Sequence, residues 1–306
     1  MKSLVHVIVI LLLCARVFAG DSLPLLLADP TIIRHKGLYY AYGTAGGNAD
    51  KGIPVYTSKD MQSWKAGGMA LKVGDSYGTK GFWAPQVFSY QKKFYMAYTA
   101  NENIAIAVSD NPGGPFKQQK LQALPADKRM IDPFVLFDGG KIYLYHVRLD
   151  EGNRIFVTQL NTALDAFIPG TLQECLHAEK GWEDTQNASW PVSEGPTVIR
   201  KNGKYYMFYS CNDFRNPDYA VGIAVSQSPA GPWVKQAGNP FISRKHTGEN
   251  GSGHGDVVRA GNSWWYVLHT HNTSTKVSPR KTAIIQFNWT GALPELIPGS
   301  FTWLTR

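Results

Sequence analysis

The segment Asp29-Pro-Thr-Ile-Ile-Arg-His-Lys-Gly-Leu-Tyr-Tyr-Ala-Tyr42 consists of a short apolar run, a polar turn and an aromatic run. That order is typical of a β-hairpin. Four later segments repeat it, and they begin at Ala84, Asp132, Glu194 and Asp256. The copies follow one another at intervals of roughly 50 to 60 residues, a period typical of propeller blades. The sequence therefore predicts an all-β, five-bladed β-propeller, with one four-stranded blade for each copy.

Three of the copies begin with a carboxylate that is followed closely by proline, and these carboxylates are Asp29, Asp132 and Glu194. A propeller brings the innermost strand of every blade to one axis, so we expect the three side chains to meet there in one repeat phase. An Asp before Pro is common in turns, and one such copy alone would carry little weight. Glycosidic bond cleavage needs one carboxylic acid and a second carboxylate, and a neighbouring negative charge raises the pKa of the acid. Three carboxylates on one axis therefore favour a catalytic site.

Composition and length agree with one large β domain. The chain has 306 residues, of which 43% are hydrophobic and 12% aromatic, and its apolar residues occur in short runs between turns. We expect residues 20–306 to form a single catalytic domain, with residues 161–190 as an insertion that helps to wall the site. The net charge is +8, but the basic residues are scattered, and no nucleic-acid module is present. Nucleic-acid partners are therefore not expected.

Residues 1–19 are predicted to be a secretory signal peptide, because Lys2 precedes an apolar run and Ala19 offers a cleavage site. The run is too short to cross a membrane. Cys14 raises the alternative of lipid anchoring, which the large Leu13 before it disfavours. We expect a secreted or periplasmic monomer without a membrane span.

The remaining cysteines leave two interpretations open. Cys175 and Cys211 could form a disulfide in an oxidising compartment, or they could be two buried thiols. No CxxC or HExxH spacing occurs, so the sequence does not support a structural zinc site.

At its carboxylates the chain resembles glycoside hydrolase family 43, whose members are inverting five-bladed propellers that remove arabinofuranosyl and xylosyl units from plant polysaccharides. The resemblance covers residues 24–306. It implies that Asp29, within Leu27-Ala-Asp-Pro30, is the general base. It implies that Asp132, within Ile131-Asp-Pro-Phe134, tunes and orients the acid. It implies that Glu194, within Ser193-Glu-Gly-Pro196, is the general acid.

The resemblance also implies further site residues. Phe82 and Trp83, in Phe82-Trp-Ala-Pro85, are expected to line the sugar pocket, and Arg280 is expected to contact substrate. His254, in Gly253-His-Gly-Asp256, is expected at the propeller centre, where it would help to hold a hydrated Ca²⁺ ion. No organic cofactor is expected.

These inferences lead to the hypothesis of an exo-acting, inverting α-L-arabinofuranosidase whose partner is a plant cell-wall polysaccharide or oligosaccharide. β-Xylosidase, galactofuranosidase or galactan-directed activity, and endo-arabinanase activity are alternatives within the same enzyme class. A sugar-binding propeller lectin is the non-enzymatic alternative. A lectin needs neither acid nor base, and would leave three crowded carboxylates unexplained.

Overall fold

The computed structural model describes residues 22–306, and strands form most of their regular structure. The predicted signal peptide and Cys14 lie outside the described residues. One α-helix, α1 (Arg244–Thr247), and a short 3-10 turn are the only helical elements in this part of the chain. None of the described helices is long and apolar enough to span a bilayer.

The strands form five antiparallel sheets that follow one another along the chain. Blade one contains β1 (Leu27–His35), β2 (Leu38–Ala45), β3 (Gly52–Ser58) and β4 (Lys65–Lys72). Blade two contains β5 (Trp83–Tyr90), β6 (Lys93–Ala100) and β7 (Asn103–Ser109). Blade three contains β8 (Met130–Asp138), β9 (Lys141–Leu149), β10 (Asn153–Leu160) and β11 (Gln173–Leu176). Blade four contains β12 (Ser193–Lys201), β13 (Lys204–Cys211), β14 (Ala220–Ser226) and β15 (Val234–Lys235). Blade five contains β16 (Gly253–Ala260), β17 (Ser263–Thr270), β18 (Lys281–Trp289), β19 (Pro294–Leu296) and β20 (Thr302–Trp303).

The first strands of the blades form a closed inner ring. Each one contacts the first strand of the next blade, and β16 of blade five contacts β1 of blade one. The predicted five-bladed propeller is therefore confirmed. The ring matters for function because it places the beginnings of all five first strands around one axis.

Blades two, three and five each differ in one detail from the predicted four-stranded blades, and blade five has a fifth strand because β20 pairs with β18 in addition to β19. Blade two has three strands, and after β7 only an isolated bridge joins Val108 to Lys117. Pro112 and Pro115 lie in that segment, and proline lacks the N–H that a sheet ladder needs. In blade three the fourth strand, β11, lies inside residues 161–190, so this segment is partly blade rather than wholly insertion.

The hydrophobic core is divided among the five blade interfaces. Each of five buried clusters combines side chains from two neighbouring blades. Phe116, for example, belongs to the cluster between blades one and two, and Trp64 belongs to the cluster between blades five and one. Cys175 and Cys211 both belong to the cluster between blades three and four, and both are free thiols.

Hydrogen bonds between the two ends of the described chain join blade five to blade one. Leu25 N–H donates to the carbonyl of Leu304 (2.7 Å), and Arg306 N–H donates to that of Leu23 (2.8 Å). On the other side, Trp64 N–H donates to the carbonyl of Thr305 (2.8 Å). The last residues thus lie between the first described residues and the outer part of blade one, which stabilises the ring.

Candidate active site

The first strand of every blade contains a register irregularity near its beginning. One residue at each irregularity has a positive φ angle, and these residues are Asp29 (49°), Ala84 (43°), Asp132 (55°), Gly195 (58°) and His254 (40°). A bulge redirects the side chain at that point, and a positive φ is uncommon for residues other than glycine. The five residues therefore occupy equivalent positions around the axis, and three of them carry a titratable side chain.

Glu194 does not occupy this equivalent position. The prediction that all three carboxylates occupy the same position in their repeats is therefore wrong for Glu194. In blade four the bulge position belongs to Gly195, which adopts positive φ without steric cost. Glu194 precedes it and pairs with Ser210 of the second strand. Glu194 is thus the strand residue immediately before the bulge, whereas Asp29 and Asp132 are the bulge residues themselves.

The three carboxylates nevertheless come together. The imidazole Nδ1 of His254 lies 3.3 Å from Asp29 Oδ1 and 3.9 Å from Asp132 Oδ2. One potential ligand atom from each of Asp132, Glu194 and His254 lies within 4.8 Å of the others. All four side chains are buried. The repeats therefore predicted the cluster correctly. In blade five, however, the residue at the bulge is His254 and not Asp256, with which the fifth copy begins.

Hydrogen bonds between neighbouring blades fix the bulges. A side chain on the second strand of one blade accepts the bulge N–H of the next: Thr44 Oγ1 from Ala84 (3.1 Å), Thr99 Oγ1 from Asp132 (3.0 Å), Ser210 Oγ from His254 (2.8 Å) and His269 Nδ1 from Asp29 (3.1 Å). Blade three has Val147 at the corresponding register position, and a valine side chain cannot accept. Gly195 N–H donates instead to Asp132 Oδ2 (3.2 Å), which holds that carboxylate against blade four.

Asp29 is surrounded by groups that favour its charged form. Thr44 Oγ1 donates to its Oδ2 (2.6 Å), and Arg280 Nη1 donates to its Oδ1 (3.0 Å). Burial alone would raise the pKa of Asp29, but Arg280, His254 and His269 outweigh that effect and hold the pKa well below its usual value. Asp29 is therefore ionised at neutral pH and can accept a proton.

Glu194 has the opposite character. Burial raises its pKa to about 7, although hydrogen bonds from Tyr219 and Asn153 oppose the increase. Tyr219 OH donates to Oε1 (2.8 Å), and Asn153 Nδ2 donates to Oε2 (2.8 Å). A carboxyl group with this pKa retains a substantial protonated fraction near neutral pH, as a general acid requires.

Asp132 interacts with both of the other carboxylates. Burial and the charges of Glu194 and Asp29 raise its pKa well above the usual value, whereas the Gly195 N–H lowers it. Asp132 and Glu194 therefore titrate as a coupled pair, whose last proton is held more tightly than that of an isolated carboxyl group. Loss of that last proton is disfavoured because it leaves two negative charges side by side.

This pairing predicts how an Asp132→Asn variant titrates. Once residue 132 is neutral, Glu194 loses its proton without creating a second adjacent charge, so its pKa falls. Activity needs Glu194 protonated and declines as pH rises through that pKa, so the basic limb of the kcat/KM profile should move to lower pH. A profile measured with an aryl glycoside of poor leaving group tests this. An unchanged or raised basic limb would contradict the assigned pairing.

The other predicted site residues differ in position. Trp83 lines the cavity above the carboxylates, as expected. Phe82 is fully buried, stacks on Tyr98 (5.9 Å between ring centroids) and is absent from the cavity wall. We therefore assign Phe82 to packing between blades one and two rather than to substrate contact.

Arg280 also lines the cavity, where it pairs with Asp29. Its guanidinium lies 4.6 Å from the centre of the Phe214 ring, and its Nη1 lies 3.1 Å from His269 Nε2. The structure thus gives Arg280 a role in keeping Asp29 ionised, in addition to the predicted substrate contact.

The cavity has a volume of about 900 Å³. Asp29, Asp132, Glu194 and His254 all contribute to its lining. Its wall includes Trp83, Arg280, Phe214 and, from the segment 161–190, Trp190. A volume near the upper end of the range for ligand pockets, about 300–1,000 Å³, leaves room for more than one sugar unit.

The number and type of ligand atoms in the central cluster decide whether calcium could bind there directly. Calcium takes about six to eight oxygen ligands, whereas this cluster brings one imidazole and two carboxyl groups. The cluster therefore does not fit direct calcium coordination, and the hydrated ion near His254 stays a prediction.

Several residues of the site carried no signal in the sequence. Asn153, Tyr219, Thr44 and His269 each hydrogen-bond to a catalytic candidate. Asn153 and Tyr219 lie outside the repeated hairpins, whereas Thr44 and His269 lie in the second strands β2 and β17, just beyond the aromatic runs. His269 and Asp29 are separated by 240 positions. Only the closed ring of blades brings such pairs together.

A carboxylate with a lowered pKa and a carboxyl group with a raised one, buried together beside a sugar-sized cavity on a propeller axis, form the arrangement that glycoside hydrolysis requires. Comparison with known proteins specifies the family. Residues 23–293 match the profile described as Glycosyl hydrolases family 43, and the chain belongs to this family. It is an O-glycosyl hydrolase, and the family is inverting.

The names of individual relatives refer to different sugars. A Bacteroides thetaiotaomicron structure described as an endo-1,4-β-xylanase is 38% identical, with a TM-score of 0.86 over 93% of this chain and 98% of that one. A thermostable family-43 glycoside hydrolase is 32% identical, with a TM-score of 0.84 over 92% and 96%. The extracellular exo-α-(1→5)-L-arabinofuranosidase of Cellvibrio japonicus is 23% identical over 92% of this chain and 88% of its own.

Proposed function

We propose that this protein is an exo-acting α-L-arabinofuranosidase that releases arabinofuranosyl units from plant polysaccharide side chains. The observation that carries the hydrolytic role is the separation of the pKa values of Asp29 and Glu194, one lowered and the other raised to about 7. The sugar is supported by relatives that are named arabinofuranosidases, among them the Cellvibrio japonicus enzyme.

In the proposed mechanism, Asp29 removes a proton from a water molecule that attacks the anomeric carbon. Glu194 donates its proton to the leaving oxygen as the glycosidic bond breaks, so the leaving group departs as a neutral alcohol. Asp132 titrates together with Glu194, so that loss of the last proton from the pair is disfavoured. Arg280 keeps Asp29 ionised in the free enzyme.

A xylan-directed activity is the second candidate. It is favoured by the 38% identical Bacteroides thetaiotaomicron neighbour, because that structure is described as an endo-1,4-β-xylanase. Endo-acting cleavage of arabinan is a further alternative, since a Bacillus subtilis relative with 23% identity is named an endo-α-(1→5)-L-arabinanase. Both alternatives keep the same acid and base; the first changes the sugar that the cavity accepts, and the second changes the position in the arabinan chain at which cleavage occurs.

A panel of substrates separates these activities. We expect the highest kcat/KM on aryl α-L-arabinofuranoside, with weaker hydrolysis of the xyloside, galactofuranoside and galactoside. Release of single arabinose units from branched arabinan would support exo action. Preferential hydrolysis of the xyloside, or accumulation of short oligosaccharides from linear chains, would contradict the proposal and favour one of the two alternatives.

We also propose that the protein acts outside the cytoplasm as a monomer. Support for the location comes from the predicted signal peptide and from relatives named as extracellular enzymes. Size-exclusion chromatography and N-terminal sequencing of the secreted protein test the two parts separately. A mature N-terminus near residue 20 is expected.

The product should first appear with inverted anomeric configuration. An inverting enzyme keeps its two carboxyl groups roughly 6.5–9.5 Å apart, so that a water molecule fits between base and sugar. Proton NMR recorded during the first minutes of hydrolysis, before mutarotation, measures the configuration. A first-formed product that retains the substrate configuration would contradict the assignment of Asp29 as a base.

Calcium, if bound, is expected to be structural or electrostatic, because the lowered pKa of Asp29 already makes it a base without a metal-bound water. Chelation should therefore lower the melting temperature or the rate and leave the anomeric configuration of the product unchanged. The measurements are thermal unfolding and NMR with and without chelator. An Asp29→Asn variant that is active in calcium would contradict this expectation.

A further inference from the structure

Trp190 presents an unused aromatic surface to the catalytic cavity. It lies at the end of the segment 161–190, its side chain is 48% exposed, and it lines the same cavity as Glu194. Within residues 22–306, no aromatic ring or cation stacks on its indole. An exposed indole beside a sugar-cleaving site offers a flat apolar surface for a sugar ring together with a polar N–H.

That N–H is connected to the general acid through one amide. Trp190 Nε1 donates to Asn153 Oδ1 (2.9 Å), and Asn153 Nδ2 donates to Glu194 Oε2 (2.8 Å). Backbone contacts support this arrangement. Asn153 N–H donates to the carbonyl of Pro191 (2.9 Å), and Asn153 forms an isolated parallel β-bridge with Val192. Asn153 therefore fastens the end of the segment to β10 and joins it to the acid.

The indole determines which way the Asn153 amide points. An indole N–H can only donate, so its partner must be the amide oxygen, and the NH₂ group must then face Glu194. In the flipped orientation the NH₂ group would oppose the indole N–H, and the amide oxygen would face the acid. That oxygen would accept the proton of Glu194 and divert it from the substrate. The observed orientation leaves the proton available for the leaving group.

The leaving group must lie on this side of the cavity. Glu194 protonates the glycosidic oxygen, so the sugar that departs lies next to the acid, and Trp190 is the aromatic side chain bound to the acid through Asn153. A sugar stacked on the indole would also restrict the indole and, with it, the amide. Binding of the leaving group and alignment of the acid would then be coupled.

Building on the proposed function, we infer that Trp190 binds the leaving-group sugar and, through Asn153, fixes the orientation of Glu194. Trp190 is a substrate-binding residue in this assignment, and Asn153 is a positioning residue. The coupling predicts that substrates with a sugar leaving group depend on the Trp190–Asn153 hydrogen bond. Substrates whose leaving group needs no proton should not depend on it.

Four variants measured on two substrates test the inference. Trp190→Phe keeps an aromatic face and removes the N–H, Trp190→Ala removes both, Asn153→Ala removes the amide, and the fourth variant combines Trp190→Phe with Asn153→Ala. The substrates are an oligosaccharide and a dinitrophenyl glycoside of the same sugar. Trp182→Phe is the matched control, since Trp182 lies in the same segment but outside the cavity wall.

Trp190→Phe should lower kcat on the oligosaccharide by about tenfold, a fraction of the roughly 10²–10⁴-fold that general-acid catalysis supplies. Its KM for the oligosaccharide and its rate on the dinitrophenyl glycoside should change little. Asn153→Ala should show the same pattern, and the double variant should lose no more than Asn153→Ala alone. Trp190→Ala should in addition raise KM for the oligosaccharide. Thermal unfolding shows that the variants are folded.

Three results would overturn the inference: multiplicative losses in the double variant, equal losses on both substrates for Trp190→Phe, or an unchanged KM for Trp190→Ala. Its failure is distinguishable from failure of the proposed function. An active wild-type enzyme with any of these three results contradicts the inference alone. A folded wild-type protein that hydrolyses none of the glycosides contradicts the proposed function, and the inference with it.

Discussion

Asp29→Ala is expected to abolish hydrolysis of both a polysaccharide and an activated aryl glycoside. Water must be activated whichever group leaves, so a good leaving group cannot compensate for a missing base. Removal of a general base typically costs about 10²–10⁴-fold in rate, and we expect the upper part of that range because three cationic or imidazole groups are arranged around this one carboxylate. Steady-state rates on both substrates measure the effect.

The Asp29→Asn variant distinguishes the loss of the base from a change in side-chain packing. The amide keeps the volume of the side chain, and its single oxygen can still accept from Arg280 while its NH₂ group takes the position beside Thr44 Oγ1, but it is not a base at neutral pH. Asp138→Asn is a matched control, because Asp138 ends β8 and is absent from the cavity wall. The control should remain active. An Asp29→Asn variant that retains more than a tenth of the wild-type rate would contradict the assignment of the base.

The surroundings of Asp29 also set the pH range of the enzyme. Its lowered pKa keeps the base ionised down to acidic pH, so the loss of activity at low pH should begin well below the ordinary range of a carboxylate. The loss at high pH should follow Glu194, whose pKa lies at about 7. The active window therefore lies between a depressed pKa and a raised one, the separation that acid–base catalysis by two carboxylates requires.

The fold was predictable because its signal is local. Each hairpin combines an apolar run, a turn and an aromatic run within about fifteen residues, and such a pattern is readable wherever it recurs. Five recurrences specify five blades, and blades close around an axis. The positions of Asp29 and Asp132 followed from that symmetry alone, because both occupy the bulge of a first strand.

The errors in the site arose where one residue of register mattered. Glu194 and Gly195 are neighbours, and sequence spacing could not show that the glycine occupies the bulge. Phe82 and Trp83 are also neighbours, yet one is buried between blades and the other lines the cavity. A one-residue shift in a strand sends a side chain to the opposite face, so repeat spacing alone could not resolve either case.

The hydrogen-bond partners of the catalytic residues could not be predicted from the sequence, for a different reason. Asn153 begins β10 and Tyr219 lies directly before β14, 41 and 25 positions from Glu194 and without any shared motif. Their roles depend on side-chain geometry after the blades have closed. Hydrogen bonds of this kind set the pKa and the orientation of the acid, and they are found only by building the site in three dimensions.

Glu194→Ala is expected to separate substrates according to their leaving group. A sugar alcohol departs poorly without a proton, so loss of the acid should reduce the rate on polysaccharide by about 10²–10⁴-fold. Dinitrophenolate departs without protonation, so the same variant should retain a much larger fraction of its rate on the dinitrophenyl glycoside. Asp29 is unaltered in this variant and still activates water on both substrates.

The comparison within one variant makes this prediction stringent. Any general loss of folding or binding would lower both rates together, whereas loss of the acid lowers one selectively. Glu174→Ala provides a matched control, since Glu174 lies in β11 and is absent from the cavity wall, and it should leave both rates unchanged. If Glu194→Ala loses the same factor on both substrates while circular dichroism shows a native fold, Glu194 is not the proton donor. The raised pKa of Glu194 would then have to serve a role other than catalysis.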